Sequence, residues 1–184
     1  HRLDKDTSGL LVAAKNDAAH GGLSQLFAAH DLERAYLALV WGSPAPAEGV
    51  IAGNIGRNPR NRKKMAIVTR GGRPARTRYR VREHLANGCW SLVECRLESG
   101  RTHQIRVHLT ARGHGVVGDP LYGGKHGGTK KALPPAAAEA LKQWHRQALH
   151  AYRLAFRHPL SGEYLEFASE PPADLQSLLA AGRK

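Results

Sequence analysis

At 184 residues the chain is long enough for one domain with a sizeable core, folded as one body or as two packed lobes. Its 28 Lys and Arg against 15 Asp and Glu give a formal charge of +13 and a pI near 10.3, which points to a polyanionic partner, nucleic acid ahead of an acidic membrane. No apolar stretch approaches the roughly 20 residues of a membrane-spanning helix, and no secretory signal is visible. In chain order, the apolar run at residues 10–14 is bounded by turn residues and predicts a short buried strand. Asn16 or Asp17 then caps a helix to about His30, with Leu23, Leu26 and Phe27 on its inner face. Residues 34–41 predict a strand, and the Ser43-Pro44-Ala45-Pro46-Ala47 stretch a connector. Residues 76–81 alternate arginines with Thr77, Tyr79 and Val81, the pattern of a strand with one solvated face. Residues 90–97 are its antiparallel neighbour, with Asn87-Gly88 at the turn. Thr102 caps a helix to about Arg112 that Gly113 stops, and residues 113–131 are Gly-rich and irregular. Pro134-Pro135 open a further helix, residues 151–156 and 163–167 pair as a hairpin, and Pro171-Pro172 open a last helix carrying Leu175, Leu178 and Leu179. Interspersed strands and helices with short strand links predict an α+β fold around a large, mixed, mainly antiparallel sheet flanked by helices.

Cys89 and Cys95 flank a strand segment of about 20 Å, too long for a disulfide between them, and both are expected in the core. Their number fits a reducing cytoplasm. His103, His108 and His114 are spaced by five and six residues, which puts no two on a shared helical face and argues against a metal site. Gly123-Gly124-Lys125 lacks the spacing of a P-loop.

The most informative segment is the first: His1-Arg2-Leu3-Asp4, continuing as Lys5-Asp6-Thr7-Ser8-Gly9-Leu10-Leu11. Asp4 sits in a polar turn between Arg2 and Lys5, and nearby cations favour a charged carboxylate, which suits a nucleophile more than a proton donor. Read from spacing alone, the same residues also describe an ordinary surface turn. A second block runs Gly100-Arg101-Thr102-His103-Gln104-Ile105-Arg106-Val107-His108-Leu109. From residues 57 to 82 the chain carries 11 Lys or Arg and no Asp or Glu. The first half of that tract, Arg57-Asn58-Pro59-Arg60-Asn61-Arg62-Lys63-Lys64, has no hydrophobic period and reads as a mobile, phosphate-contacting loop.

The first two blocks together resemble the signatures of the RluA/RluD-type pseudouridine synthases, and the resemblance extends from His1 to about Leu179. It implies an isomerase that detaches uracil from its ribose, turns it and rejoins it through C5. No redox change occurs and no atom is gained, so neither cofactor nor metal is needed. It implies Asp4 as the catalytic carboxylate and Arg106 as its ionic partner, where a guanidinium fixes a carboxylate bidentately. Without the family, Arg106 reads as a surface helix arginine. Tyr36, in a segment similar to the family's second motif, becomes the residue that stacks on the flipped uracil, where alone it would pass as a core aromatic. Arg2 becomes an aid to base flipping, and Ile105 joins the substrate-binding residues with Arg57, Arg60, Arg62, Lys63 and Lys64. Asp6 is expected to serve the turn through a side-chain bond. Asp119, in Gly118-Asp119-Pro120-Leu121-Tyr122-Gly123, is expected to fix the loop after the active-site helix, and His150 to be structural.

Residues 57–77 resemble the RluD branch, which implies large-subunit ribosomal RNA as partner, bound at a stem-loop, in the cytoplasm, by a monomer with no membrane contact. Residue 1 is His and the one methionine is Met65, so the chain is expected to be a catalytic domain, residues 1–184, without its upstream strands, a Lys-Pro segment and any S4 domain. Transfer RNA is the rival substrate. A non-catalytic RNA-binding or ribosome-assembly module, and a hydrolase using Asp4 and Asp6 as an acid–base pair, remain open alternatives.

Overall fold

The computed structural model describes residues 2–123, 129–130 and 132–184. His1 of the first motif, and Gly124 and Lys125 of the glycine-rich stretch, lie outside the described residues. The chain forms β1 (Ser8–Gly9), α1 (Asp17–Ala29), β2 (Glu33–Trp41), β3 (Glu48–Arg57), β4 (Met65–Val68), β5 (Arg73–Leu85) and β6 (Trp90–Leu97). Then follow α2 (Gln104–Ala111), α3 (Pro135–Lys142), β7 (Leu149–Arg157), β8 (Tyr164–Ala168) and α4 (Ala173–Gly182). The strands make one eight-stranded sheet in the order β1-β7-β2-β6-β5-β3-β4, with β8 also on β7. Every pairing is antiparallel except β1 with β7, so the expected α+β architecture with a mainly antiparallel sheet is the one observed.

The local signals explain most elements. The Asn16 side chain accepts from the Ala19 amide at 2.8 Å and caps α1, and His30 ends it in the left-handed region. Leu23, Leu26 and Phe27 pack on Leu32, Leu154 and Phe156. β2 is buried on both faces from Arg34 to Ala38, apart from half-buried Leu37, and again through Trp41, as a strand between β6 and β7 must be. Trp41 and Trp90 meet edge to face with centroids 6.1 Å apart and form the heart of the main core. The last helix buries Leu175, Leu178 and Leu179 there.

Two expectations need correction. Residues 10–14 are not a strand: pairing stops after the Leu10 amide donates to the Ala151 carbonyl at 2.8 Å. Beyond Ala151 the open edge of β7 is taken by β8, which pairs from Arg153 to Arg157 and leaves the run no ladder to join. Nor does Thr102 cap α2. His103 is the N-cap, in the left-handed region at φ 58°, with no side-chain cap bond of its own. The start of α2 is held instead by Gln104, as described below.

Candidate active site

Asp4 lies in a loop ahead of β1 that is clamped from the segment entering β7. The Asp4 carbonyl accepts from the Thr7 amide at 3.0 Å, closing a turn. Gln147, 1% exposed, donates to the Lys5 carbonyl at 2.5 Å and to the Thr7 hydroxyl at 3.1 Å. Arg146, paired with Asp174 of α4, donates to the Asp6 carbonyl at 3.3 Å. Asp6 takes a positive φ of 66° and serves the turn through its backbone, so the expected side-chain bond is corrected to a main-chain one.

The second motif divides its labour residue by residue. Gln104 uses its whole hydrogen-bonding capacity. Its Oε1 accepts from the Ser99 hydroxyl at 2.8 Å and the Arg101 amide at 3.0 Å. Its Nε2 donates to the Arg76 carbonyl and the Thr77 hydroxyl, both at 3.0 Å. This pins the first turn of α2 to β5. Ile105, 4% exposed, faces a cavity of about 340 Å³. Arg106, 5% exposed, is the hub: Nε and Nη2 donate to the two oxygens of Asp119 at 2.7 and 2.9 Å, and Nη1 donates to Asp4 Oδ2 at 3.2 Å.

Asp119 therefore does more than hold its loop. Its Oδ1 accepts from the Leu121 and Tyr122 amides at 2.9 Å, as expected of a loop-fixing residue, and its carboxylate is also the principal partner of Arg106. Burial alone would raise the Asp119 pKa, but the Arg106 guanidinium and the two amides outweigh it and hold the group below its ordinary value. Burial pulls Arg106 down, yet its bonds to Asp119 and then Asp4 leave it raised and permanently charged. The Tyr122 ring lies 5.0 Å from the Arg106 guanidinium carbon. Its hydroxyl accepts from the Met65 amide at 2.7 Å, which leaves its proton for His103 Nδ1 at 2.8 Å. Burial, the largest influence, lowers the His103 pKa and favours the neutral ring.

The cavity brings together Asp4, Arg2, Tyr36 and Ile105, four of the residues expected to act at the site, with Leu97 and Leu149 completing an apolar wall. Tyr36 is 7% exposed and its hydroxyl pKa is raised, chiefly by burial and further by Asp4, with Arg34 opposing. Among the described residues that line the cavity, Asp4 alone is acidic. Asp6 is not one of them. Arg106 stands behind Asp4 rather than in the cavity wall.

The basic tract separates into two parts. Residues 58–64 link β3 to β4 as a hydrogen-bonded hairpin, not a loose loop: Asn58 and Lys64 pair through the main chain at 3.0 Å, and Asn58 Oδ1 accepts from the Arg60 and Asn61 amides. Arg57 turns back onto the Arg62 carbonyl at 3.0 Å. Arg60, Arg62 and Lys63 are exposed, and half-buried Lys64 sits 6.0 Å from the Tyr122 ring centroid. None of these five basic residues lines the cavity; Tyr122 joins their hairpin to His103, which does. On β5, alternation turns Thr77 and Tyr79 inward and Arg76, Arg78 and Arg80 outward, where they pair with Glu98 and Glu48. Arg82 and Arg96 share Glu94.

The remaining titratable groups hold the framework. His108 Nδ1 meets the Thr77 hydroxyl at 2.9 Å, and His114 Nδ1 donates to the Trp41 carbonyl at 2.8 Å. His150 Nε2 donates to the Ser169 carbonyl at 2.9 Å, so its Nδ1 accepts from Ser8 at 3.0 Å, a structural role as expected. Cys89 and Cys95 are buried and free, and burial pushes the Cys95 thiol up to about 12.

A carboxylate held by a buried arginine, in a cavity lined also by Tyr36, Leu97, Ile105 and Leu149, is chemically suited to covalent or electrostatic work on a planar polar ligand. The chain belongs to the RNA pseudouridylate synthase family, whose model matches residues 1–111. It is 50% identical over 179 residues to the ribosomal large subunit pseudouridine synthase D of Zymomonas mobilis, covering 97% of this chain and 54% of that protein. It is 41% identical over 197 residues to the chloroplastic RNA pseudouridine synthase 2 of Arabidopsis thaliana, covering 100% of this chain and 46% of that protein. The solved human RNA pseudouridylate synthase domain containing 1 superposes with a TM-score of 0.76 at 36% identity, over 98% of this chain and 71% of that one. The chain thus spans about half the length of the curated relatives it matches. No helix among the described residues is long and apolar enough to cross a membrane.

Proposed function

We propose that this chain carries the catalytic site of a pseudouridine synthase acting on uridines in large-subunit ribosomal RNA, in the cytoplasm, as a monomer without metal or cofactor. The observation that carries the reading is the seat of Asp4: its carboxylate lines the cavity, and Arg106, itself locked by Asp119, holds one of its oxygens. The ribosomal RNA substrate is supported by the likeness to relatives named for the large ribosomal subunit.

In this reaction the N1–C1′ bond breaks and a C5–C1′ bond forms on the same ribose; the hydrogen on C5 leaves as a proton and N1 gains one. Asp4 acts as the nucleophile or as the counter-charge to the sugar, and Arg106 fixes its aim. Tyr36, kept neutral by its raised pKa, provides the wall on which an extruded uracil stacks. Ile105 backs the base, and Arg2 fills the position that the base leaves in the helix. Arg57 stiffens the β3–β4 hairpin, and Arg60, Arg62, Lys63 and Lys64 grip phosphates beside the site. An Asp4–Asp6 acid–base pair is disfavoured because Asp6 does not line the cavity.

The test is tritium release from ribosomal RNA labelled at uracil C5, since C5 loses its hydrogen only when it becomes the glycosidic carbon. The full-length wild type should release tritium, and Asp4→Asn should fall on the order of 10³-fold or more while still binding RNA. Release from transfer RNA alone would reassign the substrate. Binding without release by the wild type would leave a non-catalytic RNA module.

A further inference from the structure

Arg34, at the start of β2, is 8% exposed and lines the same cavity as Asp4. Unlike that of Arg106, its side chain makes no hydrogen bond and no ion pair among the described residues, and its Nε is fully buried without an acceptor there. The guanidinium carbon lies 5.5 Å from the Phe27 ring centroid. Its Nη1 abuts the backbone of Gly100, where an added Cβ would come within 2.6 Å. Burial lowers the Arg34 pKa, but a guanidinium keeps its proton throughout the range in which proteins work. A cation withdrawn from water without a counter-charge destabilises the fold that holds it. Its presence in a ligand cavity is explained when the ligand brings the missing anion.

The cavity itself indicates which part of an RNA nucleotide that anion is. Its apolar wall, Tyr36 with Leu97, Ile105 and Leu149, suits a base. Arg34 is close enough to Tyr36 to act on its hydroxyl, and its own contacts are with Phe27, on the helix that His30 ends, and with Gly100, which Arg101 follows. His30 and Arg101 also line a second, more open cleft with Asn54, Pro74 and Arg76, whose one acid among the described residues, Glu98, is held by Arg76 and Arg78. The cavity and the cleft therefore adjoin at His30 and Arg101, a route open to a strand whose base is held inside. A uridine carries a phosphate on either side, and a planar guanidinium matches phosphate oxygens two at a time. Uracil, being neutral, would leave the charge of Arg34 uncompensated.

We infer that Arg34 is a substrate-binding residue that takes the backbone phosphate beside the flipped uridine, with the strand leaving the cavity over His30 and Arg101. This rests on the pseudouridine synthase reading above. It explains why a buried arginine is kept without a carboxylate: the one acidic residue in the cavity wall is already committed to Arg106.

The test uses the full-length chain and a stem-loop of large-subunit ribosomal RNA tritiated at uracil C5. The RNA is prepared with a normal backbone and with one neutral methylphosphonate on the 5′ or the 3′ side of the uridine that the wild type converts. Arg34→Met keeps the bulk and removes the charge. It should lower kcat/KM by about tenfold or more on normal RNA while its melting temperature stays level or rises. The wild type should lose a similar factor on one of the two methylphosphonate RNAs, and Arg34→Met should lose almost nothing further on that RNA. Arg34→Lys, which restores a cation, should regain part of the rate and the sensitivity to that substitution. Equal penalties for Arg34→Met on all three RNAs would show that its partner is not the phosphate. A lowered melting temperature with unchanged turnover would reduce Arg34 to packing. No tritium release by the wild type would overturn the enzyme reading, and this inference with it.

Discussion

Two buried arginines serve the same cavity under opposite conditions, Arg106 from behind Asp4 and Arg34 from the cavity wall. Arg106 is 5% exposed and commits its guanidinium to Asp119 and Asp4; Arg34 is 8% exposed and has no acid to pair with among the described residues. The difference separates positioning from reception. A guanidinium saturated by carboxylates inside the protein has nothing left for RNA and serves to aim another side chain. One left unsaturated beside a cavity contributes only when a ligand arrives. The protein thus places a finished ionic centre behind Asp4 and an unfinished one elsewhere in the same cavity wall.

The most direct way to break that contrast is to make Arg106 resemble Arg34. Asp119→Ala removes two of the three carboxylate bonds to Arg106 and also releases the Leu121 and Tyr122 amides. Leaving the buried guanidinium with only its 3.2 Å bond to Asp4 should cost up to about 3–5 kcal/mol, read as a lower urea midpoint, and turnover should disappear with it. An unchanged midpoint would mean that Arg106 does not need Asp119. Arg106→Lys is the milder form. It keeps the charge but loses the planar fork, so Asp4 is no longer held in one orientation. Turnover should fall about 10²-fold or more with a smaller loss of stability; wild-type turnover would sink the positioning role.

How far these features can be read from the chain depends on whether the signal is local. The β5–β6 hairpin follows from alternation and Asn87-Gly88, and α1 from the Asn16 cap with Leu23, Leu26 and Phe27 spaced for one face. Residues 10–14 mislead because an apolar run does not reveal that β8 occupies the edge it would join. Asp4, Arg2, Tyr36 and Ile105 share one cavity, yet only resemblance suggests it, since 102 residues separate Asp4 from Arg106. The pairing of Arg106 with Asp119 is likewise a tertiary fact. Arg34 reads as an ordinary strand residue, although a signal exists: a charged residue opening a strand so apolar on both faces must be buried with its charge. Gln104 gives none, because its four bonds exist only once α2 packs on β5.

His108 shows a third way to bury a titratable group, by keeping it uncharged. It is fully buried, its Nε2 has no hydrogen-bond partner among the described residues, and burial pushes its pKa down to about 4. An imidazole in the unfolded chain takes its proton near 6.5, so between about pH 6.5 and 4 the unfolded state binds more protons than the native one. Stability should therefore be full above pH 6.5 and fall as pH drops toward 4, by up to about 3 kcal/mol from this residue. Urea midpoints at pH 7.5 and pH 5 test this directly. His108→Gln, which can still reach Thr77, should flatten the difference; an equal acid loss in that variant would assign it elsewhere.

The smallest effects concern exposed charge, and they ask whether the pairing rule extends to the surface. Arg78 and Arg80 on the outer face of β5 are tied to Glu98 and Glu48, whereas Arg62 and Lys63 in the β3–β4 hairpin have no ion pair among the described residues. If availability rather than formal charge decides RNA affinity, Arg62→Gln with Lys63→Gln should weaken binding to every RNA alike. The slope of log affinity against log salt should become shallower by about 0.7–0.9 for each phosphate no longer neutralised. The matching pair, Arg78→Gln with Arg80→Gln, should leave that slope unchanged and alter stability by no more than about 1 kcal/mol, because exposed ion pairs contribute little. Equal slopes for the two double variants would show that RNA competes successfully for paired arginines. The whole basic tract, and not its hairpin alone, would then be the binding surface.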